Sequence, residues 1–488
     1  VRRLLTGPLR YLVRLGRAAA RGWNAFFFTP ADPTPLGVLR VVVGALLFWN
    51  LFVYGLDLRD FLGSEGWADP SAVRLVTGDQ PLNWSFWFLV PDSLLRPVWV
   101  LCLVVLAMFT VGLFSRVTAV LAWIIIVSTV RRAPVSVFGF DQAVSAWTFY
   151  LAVTGASGQA VSLDRFIERW RQARAVFVPP RRKGDTRLRA LPSGVPEPTV
   201  SANLALRLIQ LHLCLIYGMA GLAKLQGQAW WTGMAIWGTL ASAEFRLIDF
   251  TWLAAYPWLL NLLTHGSLAF ELSYPVLIWV RPLRPLMLAL AVVFHVGISL
   301  TAPGLTEFAL AMIAGNLAFV PGSWLRSLVI GVDEAASKPA GRVLYDGACP
   351  RCRASMALLT AADPDRLVEP VDLTAVDVST VHPSLTREKC LKAMQLVGSD
   401  GRVSSGYDAL VRLGRWLPLF WPAGLFGSLP GVTAAGRRAY NKLAESRSRD
   451  QPCTDEACGI HPHVSTDRGQ GQGRPTSPAD ASRAGLGS

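Results

Sequence analysis

Charge is scarce in this chain. Asp, Glu, Lys and Arg make up 16% of its 488 residues, against 52% for apolar residues. That balance, with 18 Trp and 23 Phe, excludes an ordinary soluble domain. Acidic residues are scarcer still, 33 against 47 basic ones, which leaves a net charge of +14. Such an excess can mark a nucleic-acid binder. Here the basic residues cluster between apolar segments rather than along one soluble face, so the expected partner is the lipid bilayer and not nucleic acid. No cleavable signal peptide is expected. Residues 1–29 begin VRRLLTGPLRYLVRLGRAAARGWNAFFF, a basic amphipathic stretch whose Trp23 and Phe26 to Phe28 suit the bilayer interface.

Long apolar runs follow at roughly 36–57, 97–114, 116–131, 137–157, 203–224, 264–281, 285–302 and 306–325. Each approaches the ~20 residues that cross a hydrocarbon core, although several are short. They predict a polytopic α-helical membrane bundle of about eight spans. Residues 250–263, FTWLAAYPWLLNLL, read equally as a ninth span or as an interfacial or re-entrant helix. The N-terminus and the basic loop 164–200 should both be cytoplasmic, because positive charge stays inside. Four spans lie between them, which agrees, and four more would return the C-terminal part to the cytoplasm of a multi-pass cell-membrane protein. Arg131 and Arg132 fall on the outer side in this scheme, against the rule.

One span carries a polar stripe. In LRLIQLHLCLIYGMAGLAKLQGQAWWTGMAIW, the residues Arg207, Gln210, Cys214, Tyr217, Gly221 and Lys224 recur at steps of three and four, on one face of a helix. Ionisable groups at membrane depth are costly and face a bundle interior, a cavity or a site. The plainer reading is that Arg207 and Lys224 sit near the helix ends and snorkel to opposite interfaces. His212 lies off the stripe and reads as a packed histidine, while His265 and Glu271 fall near an expected span end, where they would meet headgroups.

After the last apolar run comes GRVLYDGACPRCRASMALLTAADP. Val343 to Tyr345 reads as a buried strand, Asp346-Gly347 as a turn, and the Ala- and Leu-rich stretch as a helix stopping before Pro364. Pro350 takes the first helical position, where its missing N–H costs nothing. Cys349 then sits at a helix N-terminus, where unpaired amides and the dipole favour thiolate over thiol, with Arg351 and Arg353 nearby. Cys352, three residues on, is placed to resolve a mixed disulfide at Cys349. Two alternatives stand beside this: a four-thiolate zinc site with Cys453 and Cys458, or ordinary buried cysteines. The second cysteine pair is spaced wider than usual for zinc and no glycine knuckle surrounds either pair, so the strand–turn–helix context favours redox chemistry. The tail 465–488, rich in Gly, Ser and Arg, is expected to be disordered.

Asp346, Cys349 and Cys352 resemble the Asp-x-x-Cys-x-x-Cys signature of the DCC family, predicted thiol-disulfide oxidoreductases. AMQLVGSDGRVSSGYDALVRLG resembles that family's Asp-Gly hairpin and following helix, and LPGVTAAGRRAYNKLAESRSR its closing helix. The resemblance implies a small α/β thioredoxin-like domain over 341–460, with Cys349 attacking, Cys352 resolving and Asp346 tuning the pair or shuttling a proton. No proline precedes the strand at Met394, where thioredoxins keep one for substrate docking, so substrate identity does not carry over. Residues 30–325 resemble the HTTM domain, shared by bacterial proteins and vitamin K-dependent γ-glutamyl carboxylase. The resemblance rests on IYGMAGLAKLQGQAWWTGMAIW, on VTGASGQAVSLDR and on VVFHVGISLTAPGLTEFALAMIAGNLAFV with His295. By that likeness Lys224 stands where the carboxylase keeps its base, and Arg207, Tyr217 and His295 would line a cofactor cavity. FGFDQAVSAW has no histidine where the carboxylase uses one, and no large lumenal domain is present, so protein γ-carboxylation is not expected. A quinone or another lipid-like partner is. The expected function is membrane-bound thiol–disulfide exchange with a thiol or disulfide protein or a quinone as partner. The alternative is a non-catalytic scaffold or lipid-binding protein with structural or metal-binding cysteines.

Overall fold

The computed structural model describes residues 2–67, 69–77, 83–178, 195–242, 248–330 and 339–446. Cys453, Cys458, the tail 465–488 and the middle of the basic loop lie outside the described residues. The chain divides into two compact units, one holding the helices up to Ile330 and one holding a sheet with its helices.

The first unit is helical throughout. Its longer elements are α1 (Arg2–Phe27), α2 (Thr34–Tyr54), α3 (Asp92–Val111), α4 (Ser115–Arg132), α5 (Gly139–Thr154), α6 (Leu163–Phe177), α7 (Val200–Lys224), α8 (Pro257–Leu277), α9 (Arg284–Thr301), α10 (Thr306–Asn316) and α11 (Gly322–Ile330). Local chemistry sets their ends. Pro257 opens α8 at a position that needs no N–H, and the Thr199 hydroxyl accepts the Ala202 N–H to cap α7. Leu39, Val43, Phe109, Phe140, Trp147, Ile209 and Tyr274 form a continuous core, while Leu101, Val104, Leu215 and Val293 stand exposed. Apolar side chains on both faces of a helix are the pattern of a bundle surrounded by lipid.

Among the described residues four helices, α2, α3, α7 and α9, are long and apolar enough to cross a membrane. A fifth is reached if residues 303–319 and 322–328, bent by 117°, count as one broken span. The expected eight spans are therefore not confirmed. The shortfall has physical causes. The 16 residues of α5 reach only about 24 Å at 1.5 Å per residue, short of a ~30 Å core. Arginines stand near both ends of α4, and α8 holds Asn261, Thr264, His265 and Glu271. No separate ninth helix forms from 250–263: a short turn at Thr251–Ala255 leads straight into α8. Arg132, which broke the charge rule, is buried and donates to the Gly63 carbonyl, so it holds a turn rather than offering free charge to either side.

Among its described residues the second unit has four strands, β1 (Gly341–Tyr345), β2 (Val368–Asp372), β3 (Gln395–Gly398) and β4 (Val403–Ser405), in the order β2-β1-β3-β4. β1 runs parallel to β2, joined by α12 (Pro350–Ala362), and antiparallel to β3. Val343 pairs with Pro370 on one side and Leu396 on the other, and Val343, Leu344 and Leu396 are wholly buried. β3 and β4 form the expected hairpin, with Gly401 at φ +74 in its turn. Two longer helices, α13 (Gly406–Trp416) and α14 (Pro430–Glu445), follow the hairpin.

Candidate functional site

The thiol site is a turn between β1 and α12. Asp346 organises it: its backbone oxygen accepts the Cys349 N–H at 3.1 Å and its Oδ1 accepts the Ala348 N–H at 3.0 Å. Asp372, at the end of β2, accepts the Gly347 N–H at 3.1 Å, so two strands fix one turn. With Pro350 opening α12, Cys349 occupies the position before the helix, and its Sγ accepts the Cys352 N–H at 3.4 Å. A capping acceptor at that place sits among amide donors, a setting a sulfur anion fills better than a thiol. The two neighbouring arginines are committed elsewhere. Arg351 donates to the Ser446 carbonyl (3.1 Å) and hydroxyl (2.8 Å), and Arg353 to the Gly347 carbonyl (2.8 Å).

Both sulfurs are shielded: Cys349 is 1% exposed and Cys352 9%. Cys352 and Asp346 open onto a cavity of about 160 Å³ whose other walls include Met356, Met394, Tyr440 and Leu443. Cys390 also lines it, a third thiol that sequence reasoning missed. Burial pushes the Cys390 thiol up to about 11. A lone cysteine in a helical stretch 38 residues beyond Cys352 gives no periodic signal, so only the fold brings it here.

In the membrane unit the polar stripe of α7 faces inward. Gln210 donates to the Ala318 carbonyl at 2.6 Å, and Lys224 Nζ meets both carboxylate oxygens of Glu271 at 2.6 Å, with the Trp230 ring centroid 5.3 Å away. Gly221 makes this approach of α7 to α8 feasible, since a Cβ there would lie 2.9 Å from Leu272. Glu271 therefore lies within α8, buried and paired with Lys224. Tyr217 and His295 also come together, the hydroxyl 2.8 Å from Nε2. Asn316 extends the chain, donating to the Tyr217 oxygen at 3.2 Å and accepting from the Tyr274 hydroxyl at 2.6 Å. Arg207 is not part of that group. It lies ten residues from Tyr217, about 15 Å along the helix, and donates to the Phe26 carbonyl and Gln210 with its guanidinium over the Phe26 ring. His212 is paired with the Tyr150 hydroxyl at 2.9 Å.

Among the described residues no group of three or more His, Cys, Asp or Glu is arranged to hold a metal ion. The zinc alternative needs Cys453 and Cys458, which are not described.

These features define a class, a membrane protein with a buried dithiol on a small mixed sheet. Two family models match the chain in the same order: the HTTM domain over residues 197–324, and DCC1-like thiol-disulfide oxidoreductase over residues 343–451. No curated protein and no solved structure matches it. Together the matches and the apolar helices mark a membrane redox protein.

Proposed function

We propose that this protein carries out thiol–disulfide exchange through Cys349 and Cys352 at the membrane, with a lipophilic oxidant or reductant, a quinone being the candidate, as the partner of its helical unit. The observation that carries the reading is Cys349 Sγ at the mouth of α12, accepting the N–H of the cysteine that would resolve it. The βαβ unit, hairpin and closing helix support a thioredoxin-like domain around it. In the exchange, the Cys349 thiolate attacks a partner disulfide and one partner sulfur leaves as thiolate. The Cys352 thiolate then attacks Cys349 Sγ, the second partner sulfur leaves, and a 349–352 disulfide remains. Asp346, on the same cavity as Cys352, is placed to take the Cys352 proton.

The helical unit fits a carbonyl-bearing ring on one count. With Asn316 donating to the Tyr217 oxygen, the assignment that satisfies each hydroxyl has Tyr217 donating to His295 Nε2. The proton then sits on Nδ1, which is buried with no hydrogen-bond partner among the described residues, and an acceptor oxygen belongs there. A bound quinone would supply two-electron acceptance. Tyr217 and Asn316 would orient His295, His295 would hold the oxygen, and the Lys224–Glu271 pair would exchange a proton with it. We further infer eight crossings, with α4, α5 and α8 completing the set, and hence a cytoplasmic N-terminus and thiol domain.

The test is redox mass spectrometry of the purified chain. A 349–352 disulfide should appear with oxidant, vanish with dithiothreitol, and cycle with a quinone in vesicles. Stoichiometric zinc with protected cysteines would favour the scaffold reading instead. Orientation is read separately: Val376→Cys, on an exposed part of the thiol unit, should react with an impermeant maleimide only after permeabilisation.

A further inference from the structure

One cavity of the membrane unit plays no part in the redox reading. It measures about 750 Å³ and lies where the α3–α4 turn, the C-terminal end of α5, and the starts of α6 and α7 converge. That is the size of a small-molecule site. Its wall is held firmly. Arg40, wholly buried, donates to the carbonyls of Ser157 and Val161, which fixes the loop behind it. Asp164 takes the N–H groups of Phe114 and Ser115 at 2.9 and 2.7 Å.

The charges on this wall can be sorted by what already satisfies them. Asp164 is committed to the α4 start, and Gln159 to Thr199 and Ser201. Glu168 accepts from Arg165 at 3.0 Å and from Gln172 at 3.2 Å. Two opposite charges remain that no described residue pairs, Arg116 and Glu197. Arg165 Nε is a further donor, buried and without a hydrogen-bond partner among the described residues. The cavity thus offers donors for an anion and, separately, an acceptor for a cation. Phe114 and Val117 on its lining are 64% and 61% exposed, an apolar edge on a helix of the membrane bundle.

We infer that this cavity binds the headgroup of an aminophospholipid, the phosphate on Arg116 and Arg165 and the primary ammonium on Glu197. The shared chemistry is a phosphate–ammonium zwitterion. The exposed Phe114 and Val117 argue for a lipid source, since acyl chains would cover them, rather than a free phosphomonoester. The residues are independent of the thiols and of Lys224.

The experiment is native mass spectrometry of the full chain in detergent, titrated with phosphatidylethanolamine, phosphatidylglycerol and free phosphoethanolamine. Wild type should hold phosphatidylethanolamine about tenfold more tightly than phosphatidylglycerol, the effect of one charge-assisted contact. Arg116→Ala should weaken both lipids, with Arg116→Lys restoring much of the loss. Glu197→Gln should remove the preference between them and leave phosphatidylglycerol unchanged. Both side chains are exposed, so the variants should keep the wild-type melting midpoint. Equal binding of the two lipids by wild type, or unchanged binding in both variants, overturns the site. Free phosphoethanolamine binding as tightly as the lipid overturns the lipid assignment.

Discussion

The Lys224–Glu271 contact predicts an unequal pair of mutants. Regarded as a lone amine in an apolar helix, Lys224 should tolerate replacement by methionine, which keeps length and removes charge. The contact with Glu271 reverses that expectation. The Glu271 side chain is 4% exposed and the Lys224 side chain 25%. Lys224→Met therefore strands a carboxylate that has almost no access to water or headgroups. Breaking a buried pair from one side costs about 3–5 kcal/mol, because the remaining charge is left uncompensated. Glu271→Gln leaves an ammonium that keeps partial exposure and the Trp230 ring, a cation–π contact worth about 0.5–2 kcal/mol. Its cost should be the smaller, about 1–2 kcal/mol.

The double variant Lys224→Met/Glu271→Leu removes both charges and fills the space with apolar atoms, which is often neutral or stabilising. It should recover most of the loss. The assay is the thermal midpoint of the purified chain in detergent, where each kcal/mol moves the midpoint by about 2–4 °C. Lys224→Met should fall by roughly 10 °C, Glu271→Gln by less than half of that, and the double variant should return close to wild type. Proximity of this kind must show as a non-additive cycle. If Lys224→Met is no less stable than Glu271→Gln, or the double variant is no better than Lys224→Met, the reasoning fails.

Tyr217→Phe should cost about 1–3 kcal/mol in the same assay, since it leaves the Asn316 donor and His295 Nε2 buried without the hydroxyl that joins them. Cys390, whose thiol is pushed up to about 11, should stay unmodified by iodoacetamide at pH 8 in the folded chain and react only as the pH approaches 11, where thiolate replaces thiol. Modification at pH 8 as fast as that of an exposed cysteine would contradict its placement. Gly401→Ala should lower stability by about 1–2 kcal/mol, because the hairpin turn holds that residue at φ +74; an unchanged midpoint would mean the turn relaxes.

The thiol site was legible because its determinants are local. A strand, an Asp-Gly turn and a proline at the first helical position fix where Cys349 sits, and each acts within a few residues. The Asp400–Gly401 hairpin was legible for the same reason. The membrane site was legible only on one helix. Helical spacing put Gln210, Tyr217 and Lys224 on one face, but spacing says nothing about what faces them. Glu271, His295 and Asn316 come from three other helices, 47 to 99 residues away from their partners on α7. Glu271 lies seven residues inside the expected run 264–281 and six residues before the end of α8 at Leu277, so what spacing left unread was its partner, Lys224. A lone carboxylate inside an apolar run, opposite a lone lysine in another, is the signal that would have joined them. Arg207 shows the converse error. It shares the stripe, yet ten residues of helix separate it from Tyr217, so a common face is not a common site.

Burial of the thiols constrains what they can meet. An attacking sulfur has to approach its target disulfide within bonding distance and nearly in line with the bond that breaks, and a sulfur 1% exposed offers no such approach to a folded surface. The walls that shield Cys352 include Tyr440 and Leu443 of α14. Two contacts hold that helix end in place: the Arg351 bonds to Ser446 and the Tyr440 hydroxyl that accepts the Met394 N–H at 3.0 Å. Met394 stands at the entry to β3, and its N–H is already taken. Exchange with a protein disulfide therefore requires the end of α14 to lift, breaking the exposed bonds to Arg351 and the part-buried bond to Met394, at about 1 kcal/mol each. A small partner needs less. The cavity of about 160 Å³ beside Cys352 has room for one ring or one branched side chain, and its lining is largely apolar. Access, more than thiolate chemistry, is what separates the candidate partners of this dithiol.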